Sequence, residues 1–510
     1  MQVIRGIISS ARSKRIRHSC QGGRPVMPNT SGILAKKRYI TSGGTPRVVD
    51  LFAGCGGFSL GFHRAGMQPI GAVEQDPIAS KTHGKNFFGV EFSEVSPHNS
   101  ARDISETEPI EFLESLSSGN QTEGAVDVLI GGPPCQAFAR IGRAKLREIA
   151  NCDKAHRIDE RVDLYLEFVR FVDALKPLAV VVENVPDMMN LSGRNVVGEM
   201  CDMLAEVGYE SRYALLNAVH YGVPQFRERV FIIGFHRSLG IIPTFPLPSH
   251  MAELPSGYLG SRSVALKPLK DNPCSRYVGV NTTTTNAKSA VSCHDAISDL
   301  PAITSHLDSV SSWGPRRFDT LTKYSKQRTL CGYAKIMRNW KGFGNDIGVY
   351  DHVIRYLPRD FETFRLMEVG SQYPEAYQVA LKRFEYELRK CNGGVPSPNS
   401  AAYNLLLKQI VPPYDPAKFP NKWWKLVPTM PSKTLTAHIS KDTYSHIHYD
   451  SRQARTISVR EAARLQSFPD GFVFAGAMNA AFRQIGNAVP PLLAYAIAKQ
   501  VKRELRKACG

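Results

Sequence analysis

No Cys-x-x-Cys pair occurs among the ten cysteines of this 510-residue chain. That absence argues against a zinc ribbon, and cysteine this sparse argues against a disulfide scaffold. The thiols suit a reducing compartment. No apolar run approaches the roughly 18 residues of a membrane span. Neither a membrane nor a metal is therefore an expected partner, and no internal repeat is visible. Acid is missing from the start: Met1 to Val49 contains no Asp or Glu, while Lys and Arg recur from Arg5 to Arg47. Such a leader reads as a disordered basic arm or tail over residues 1–46, with an organelle transit peptide as the alternative.

What is present is a composition of the soluble globular kind, 43% hydrophobic and 22% charged. A net charge of +18 makes a polyanion, nucleic acid before membrane, the first expected partner. From residue 47 short apolar runs alternate with amphipathic ones. "RVVDLF", "PIGAVE", "DVLI", "LAVVVENV", "ESRYALLNA" and "RVFIIGF" read as strands, and "VDLYLEFVRFVDAL" has helical spacing. This alternation predicts an α/β fold with a parallel, doubly wound sheet. The pattern dissolves after about Phe235 into proline-punctuated loops with one helical island, "ETFRLMEVGSQYPEAYQVALKRFEYELRK". It returns at "SVREAARLQSFPDGF", where Ser458 and Glu461 have capping-box spacing, and ends in the apolar-faced "PPLLAYAIAKQVKRELRK". The expected units are residues 47–237, a smaller irregular domain over 238–425, and a return to the first domain over 426–510.

Four short stretches carry chemistry. Phe52-Ala53-Gly54-Cys55-Gly56-Gly57 follows the first strand, where glycines let a ligand approach the backbone and a helix N-terminus. Glu74 closes the second strand, where an acid can take ribose hydroxyls. The third glycine of a pyrophosphate-binding fingerprint is displaced to Gly61, which favours a nucleoside ligand lacking a pyrophosphate, such as S-adenosylmethionine. "GGPPCQAF" presents Cys135 on a loop stiffened by Pro133 and Pro134. In "VVVENV", Glu183 ends an apolar strand; if unpaired and half-buried, its carboxyl should be pushed up and able to donate a proton. In "PQFRERVFIIGF", Gln225, Arg227 and Arg229 alternate and should share one side of an extended segment. Each stretch also has a structural reading: a plain turn, a packed thiol, a strand-end acid, a basic edge.

Their order resembles the cytosine-C5 DNA methyltransferases over nearly all of residues 47–502, with "GNAVPP" as the last motif. The resemblance implies a Rossmann-like domain that uses S-adenosylmethionine, with a target-recognition domain in the irregular middle. It assigns Phe52, Ala53, Gly54, Gly56, Gly57, Glu74, Asp103, Ile104, Pro134, Asn487 and Ala488 to cofactor binding. Cys135 corresponds to the nucleophile, Glu183 to the acid on the N3 edge of the base, and Arg227 and Arg229 to the arginines supporting base and loop. Gln136 and Gln225 fall in the base-facing loops. Ala139 stands where the family usually has Ser, and Val162 where an Asn is common. Neither removes a reacting group.

The chemistry accounts for these residue types. Cytosine C5 is a poor nucleophile until a thiolate adds at C6. Cys135 would supply the thiolate, Glu183 would hold or protonate N3, and the base would be flipped from double-stranded DNA. The implied enzyme transfers a methyl group from S-adenosylmethionine to C5 of cytosine within one specific DNA sequence, and is monomeric, of restriction-modification type or solitary. It would work in the bacterial cytoplasm and nucleoid or in a eukaryotic nucleus. Rival expectations are a tRNA cytosine-5 methyltransferase, a catalytically silent DNA-binding protein of the same fold and, more remotely, a nicotinamide oxidoreductase.

Overall fold

The structure, a computed structural model, describes residues 30–116, 124–134, 164–269, 275–281, 287–308, 320–325, 330–391 and 394–510. Its centre is a six-stranded sheet ordered β2-β1-β3-β4-β6-β5, formed by β1 (Arg47–Leu51), β2 (Gln68–Val73), β3 (Val128–Gly131), β4 (Ala179–Asn184), β5 (Tyr209–Asn217) and β6 (Glu228–His236). Side chains of successive residues point to opposite faces. Val48, Val128, Ile130 and Val181 therefore enter one core, and Val49, Leu51, Leu129 and Val182 enter another.

Helices cover both faces. Those the site depends on are α1 (Thr30–Thr41), α2 (Gly57–Arg64), α3 (Pro77–Phe88), α4 (Pro109–Leu116), α5 (Leu164–Leu175) and α6 (Val196–Glu206). Phe58, Leu60 and Phe62 of α2 lie on the first core, and Phe112, Phe168, Phe171 and Met200 of α4, α5 and α6 on the second. Strand order reverses between β1 and β3, each followed by a loop at its C-terminal end. Open α/β sheets bind ligands at this crevice.

The sheet departs from the all-parallel expectation at one strand. β6 pairs antiparallel with both β4 and β5, while β1, β2, β3 and β4 pair in parallel. Only residues 218–227, partly a 3-10 turn, join β5 to β6. A parallel return needs a crossover of a dozen or more residues, so this shorter connection turns the chain back as a hairpin.

The acid-free leader also differs from a disordered arm where it is described. Residues 30–41 form α1, with Ile33 and Ile40 buried. The Lys36 ammonium donates to the carbonyls of Leu175 at 2.7 Å and Lys176 at 2.9 Å, satisfying the open end of α5. Residues 1–29 lie outside the described residues.

In the middle of the chain, Cys293, Ile297, Tyr333, Met337, Trp340 and Val349 join the same core as α2. Two small separate clusters lie further on, one around Phe364 and Trp423 and one around Phe384 and Ile410. The predicted helical island is a short helix, Phe361–Leu366, and then α7 (Tyr373–Arg389). α7 packs on α8 (Ala401–Ile410). The last segment supplies α9 (Val459–Leu465), α10 (Met478–Asn487) and α11 (Pro491–Cys509). Ser458 and Glu461 form the predicted capping box, and Leu493, Ile497, Val501 and Leu505 of α11 are buried as expected.

Candidate active site

A cleft of about 470 Å³ opens at the switch point between β1 and β3. That volume lies within the roughly 300–1,000 Å³ typical of small-molecule sites. Phe52, Ala53, Gly54, Glu74, Asp103, Ile104, Pro134, Glu183, Arg227, Arg229, Asn487 and Ala488 all line it. The site residues expected from distant parts of the chain therefore meet in one place.

The turn after β1 is shaped by backbone conformation. Phe52 has φ 58°, a left-handed conformation that costs a non-glycine residue about 1 kcal/mol or more. Gly54 has φ +55°, and a Cβ there would stand in the open cleft. Its N–H donates to Glu74 Oε2 at 2.7 Å, and the Asp76 N–H donates to Oε1 at 2.8 Å. Burial pushes the Glu74 carboxyl up despite these bonds. Asp103 accepts from Ser105 N at 2.9 Å and Oγ at 2.7 Å, and from Gln75 Nε2 at 2.9 Å.

Gly56 and Gly57 do not line the cleft. A side chain at Gly56, φ +97°, would strike Phe87 and His83 of α3. One at Gly57 would strike the Val489 carbonyl at 2.4 Å. These two glycines let α3 and the "GNAVPP" segment close on the loop.

On the opposite wall, Glu183 ends β4 and is not the unpaired acid expected there. Arg229 Nε lies 2.9 Å from Glu183 Oε1, and the Arg229 guanidinium also donates to the Glu228 carbonyl at 2.6 Å. Asn184 Nδ2 donates to the Pro133 carbonyl at 2.9 Å, tying this strand end to the loop that leads to Cys135. Cys135, Gln136, Ala139 and Val162 lie outside the described residues. Cys55 lines the cleft, but burial pushes its thiol up to about 12, so it stays protonated.

The alternation of Gln225, Arg227 and Arg229 places only the two arginines on the cleft. Arg227 is buried and donates to the carbonyls of Leu435 and Gly486, the latter at 3.1 Å. Burial lowers its pKa well below the usual value. Gln225 lies deeper, accepting from Leu435 N at 2.8 Å and donating to Gln466. It joins three segments behind the site and is not at its surface. The bend after residue 224 ends the strict alternation, because β6 begins only at Glu228.

Thr436, Ala437, Arg483 and Asp50 also line the cleft, although their motifs did not announce them. Thr436 is brought there by the close fit of Gly486, whose Cβ would meet the Thr436 carbonyl at 2.4 Å. Arg483 pairs with Asp76 at 2.8 Å. Asp50 had a signal that could have been read: an acid inside the apolar strand "RVVDL". Among the described residues, no cluster of three His, Cys, Asp or Glu could hold a metal, and no helix is long and apolar enough to cross a membrane.

The cleft suits S-adenosylmethionine. Four acids, Asp50, Glu74, Asp76 and Asp103, line it, as suits a ligand that carries positive charge. Phe52, Val73, Ile104 and Val185 offer apolar surface to an adenine ring.

The sequence model of C-5 cytosine-specific DNA methylase matches residues 46–503. A protein of Oceanobacillus iheyensis assigned as a type II methyltransferase, M.OihORF3336P, is 37% identical over 91% of this chain and 97% of its own length. The type II methyltransferase M.AgeI of Thalassovita gelatinovora is 31% identical over 89% of this chain and 99% of its own. Among solved structures, an E. coli prophage-encoded protein assigned as a DNA modification methyltransferase shares the fold. It superposes with a TM-score of 0.55 at 22% identity, covering 90% of this chain and 99% of that one.

Proposed function

The chain belongs to the C-5 cytosine-specific DNA methylases, and from that premise we propose that it methylates C5 of cytosine within one short sequence of double-stranded DNA. The observation that carries this reading is the shared cleft: Pro133 and Pro134, which lead to Cys135, the Glu183–Arg229 pair and Phe52 to Gly54 of the glycine loop all line it. The names of its relatives favour a type II restriction-modification setting.

Bound S-adenosylmethionine would supply an electrophilic methyl group on a sulfonium, held by Phe52, Gly54, Glu74, Asp103, Ile104 and Asn487. The protein's own groups do the rest. Cys135 as thiolate adds to C6 of a flipped cytosine, and the C5–C6 π electrons become available at C5. Glu183 holds the N3 edge and carries the proton that balances the charge there. Arg229 keeps one oxygen of that carboxylate engaged, so the other is the one presented to the base. Once C5 carries the methyl, loss of the C5 proton to solvent would expel Cys135 as thiolate, the N3 proton would return to Glu183, and the aromatic ring would be restored. Asn184 and the two prolines fix the start of the nucleophile loop, because a misplacement of about 1 Å can cost ~100-fold in rate. The net charge of +18 offsets the few kcal/mol of base flipping through phosphate contacts.

The test is bisulfite sequencing of plasmid DNA from cells producing wild type or Cys135→Ser. Methylcytosine in one short context, absent from the variant, is the expected result. Unmodified DNA from a folded, cofactor-binding wild type would refute the DNA reading and direct the search to tRNA.

A further inference from the structure

The Glu183–Arg229 pair is itself held from behind. Arg229 Nε lies 2.9 Å from Glu183, and its Nη1 donates to the Glu228 carbonyl at 2.6 Å. Where the guanidinium lies therefore depends on where the backbone of Glu228 lies. Side chains alternate at the entry to β6. Arg227 and Arg229 line the cleft, while Phe226 and Glu228 meet the helix Ser256–Leu266, no residue of which lines it.

This helix grips the chain on both flanks of Arg227. Tyr258 and Arg262, four residues apart, share one helical face. The Tyr258 ring packs on Phe226 with centroids 5.6 Å apart. The Thr434 hydroxyl donates to the Phe226 carbonyl at 2.6 Å, and the Thr434 N–H donates to the Tyr258 hydroxyl at 3.1 Å. The Tyr258 hydroxyl must therefore donate to Thr434 Oγ1, 2.9 Å away. One turn on, Arg262 Nη1 donates to Glu228 Oε1 at 2.7 Å. The far end of the helix is tied to the other strand. Asn190, just past the 3-10 turn that follows β4, donates from Nδ2 to the Val264 carbonyl at 2.7 Å. One helix thus braces both strands that carry the pair, β4 with Glu183 and β6 with Arg229.

Glu228 is the point on which the brace bears. It is 5% exposed, and Arg262 is the only charged group among the described residues that acts on it. Burial pushes its carboxyl up even with that partner. Without Arg262 the carboxylate would be buried and unanswered. The start of β6 would then shift to carry it toward water, and with it the carbonyl that anchors Arg229. No cytosine-methylase motif announces this helix, which lies in the stretch expected to form the smaller domain.

We propose that Arg262 is a positioning residue for methyl transfer, a role that rests on the function reading above. Through Glu228 it fixes the start of β6, and so the Arg229 guanidinium that sets the Glu183 carboxylate against the base.

The test is single-turnover transfer of tritiated methyl from S-adenosylmethionine to unmethylated plasmid DNA, with the full chain in excess. It yields a maximal rate and the enzyme concentration that half-saturates it, for wild type, Arg262→Met, Glu228→Gln and the double variant. Calorimetry with S-adenosylhomocysteine counts the folded, cofactor-binding fraction of each. Arg262→Met should lower the maximal rate about 10- to 100-fold, the range of a misplacement of up to about 1 Å, with the half-saturating concentration unchanged. Glu228→Gln, which keeps the shape and loses the charge, should lose less. The double variant should lose no more than Arg262→Met, because the two residues act as one unit. A wild-type rate in the folded fraction of both single variants overturns the proposal and leaves Arg262 a stabilising residue only. So does a raised half-saturating concentration at an unchanged rate, which would make Arg262 a DNA contact. If Arg262→Met yields no folded fraction, Glu228→Gln decides by the same measure. A wild type that binds S-adenosylhomocysteine yet transfers no methyl to DNA refutes the function reading itself, and the positioning role falls with it.

Discussion

Two groups of buried charge sit in this molecule, and they are wired differently. Behind the site, Arg455, Arg460 and Arg464 of the "RTISVREAARLQSFPD" stretch have fully buried side chains. Each is answered. Arg455 meets both oxygens of Glu461 at 2.7 Å, and Arg464 meets Asp299 at 3.0 Å and Asp470 at 2.6 Å. Against the cost of burial, these guanidiniums hold Glu461 and Asp299 below the usual carboxylate range. Asp351, which meets Arg460 at 3.2 Å and accepts a backbone hydrogen bond from Phe474, is still pushed up by burial to about 6. At the cleft, Glu74 and Asp50 shift upward, and Asp50 lacks any protein donor on one oxygen. Completed pairs join chain segments; the incomplete acid lines the cleft. Asp299 and Asp351 come from the irregular middle of the chain, so the arginine cluster binds that region to the sheet domain.

The largest effect should come from breaking the completed cluster. Arg464→Met leaves Asp470 buried with no guanidinium, and removing one partner of a buried pair costs about 3–5 kcal/mol. Urea unfolding should report that loss; a variant as stable as wild type would show that the cluster does not bear on folding.

A smaller effect of opposite sign is expected at the cleft. Folded Asp50 titrates near 7, above the roughly 3.9 of an unfolded aspartate. The folded state therefore binds the extra proton across that window, and the Asp50 contribution to stability falls as pH rises from about 4 to about 7. Glu461 and Asp299 behave in reverse: their contribution is present above about 4 and is lost as pH falls below it. Asp50→Asn should thus gain about 2–3 kcal/mol on wild type between pH 5 and pH 7.5 without ligand, measured by urea unfolding at each pH. A pH-independent difference would mean that Asp50 does not titrate in this range.

The smallest effect belongs to Arg483 and Asp76, paired at 2.8 Å but with side chains 47% and 34% exposed. Arg483→Ala should change stability by no more than about 1 kcal/mol, and less in high salt. A larger loss in the same denaturation series would place this pair with the buried cluster.

Much of this was legible along the chain because it rests on local rules. The glycine turn, the strand-end Glu74 and Glu183, the Ser458–Glu461 capping box and the apolar face of α11 follow from spacing and residue type. Other features were not. β6 runs antiparallel because the connection before it is too short for a crossover, and strand direction depends on where a chain can return. Gln225 sits in the same motif as two cleft arginines yet points into an amide network, since the alternation begins only once β6 does. Gly56 and Gly57 look like ligand glycines but are required by His83, Phe87 and Val489, far apart in sequence.

Taken alone, the sequence determined the family, the α/β alternation and the residue types that cytosine chemistry needs, because each depends on a few neighbouring positions. Only the tertiary structure decided which charges are answered. A partner such as Asp299 for Arg464, or the absence of one for Asp50 Oδ1, depends on segments brought together across the fold.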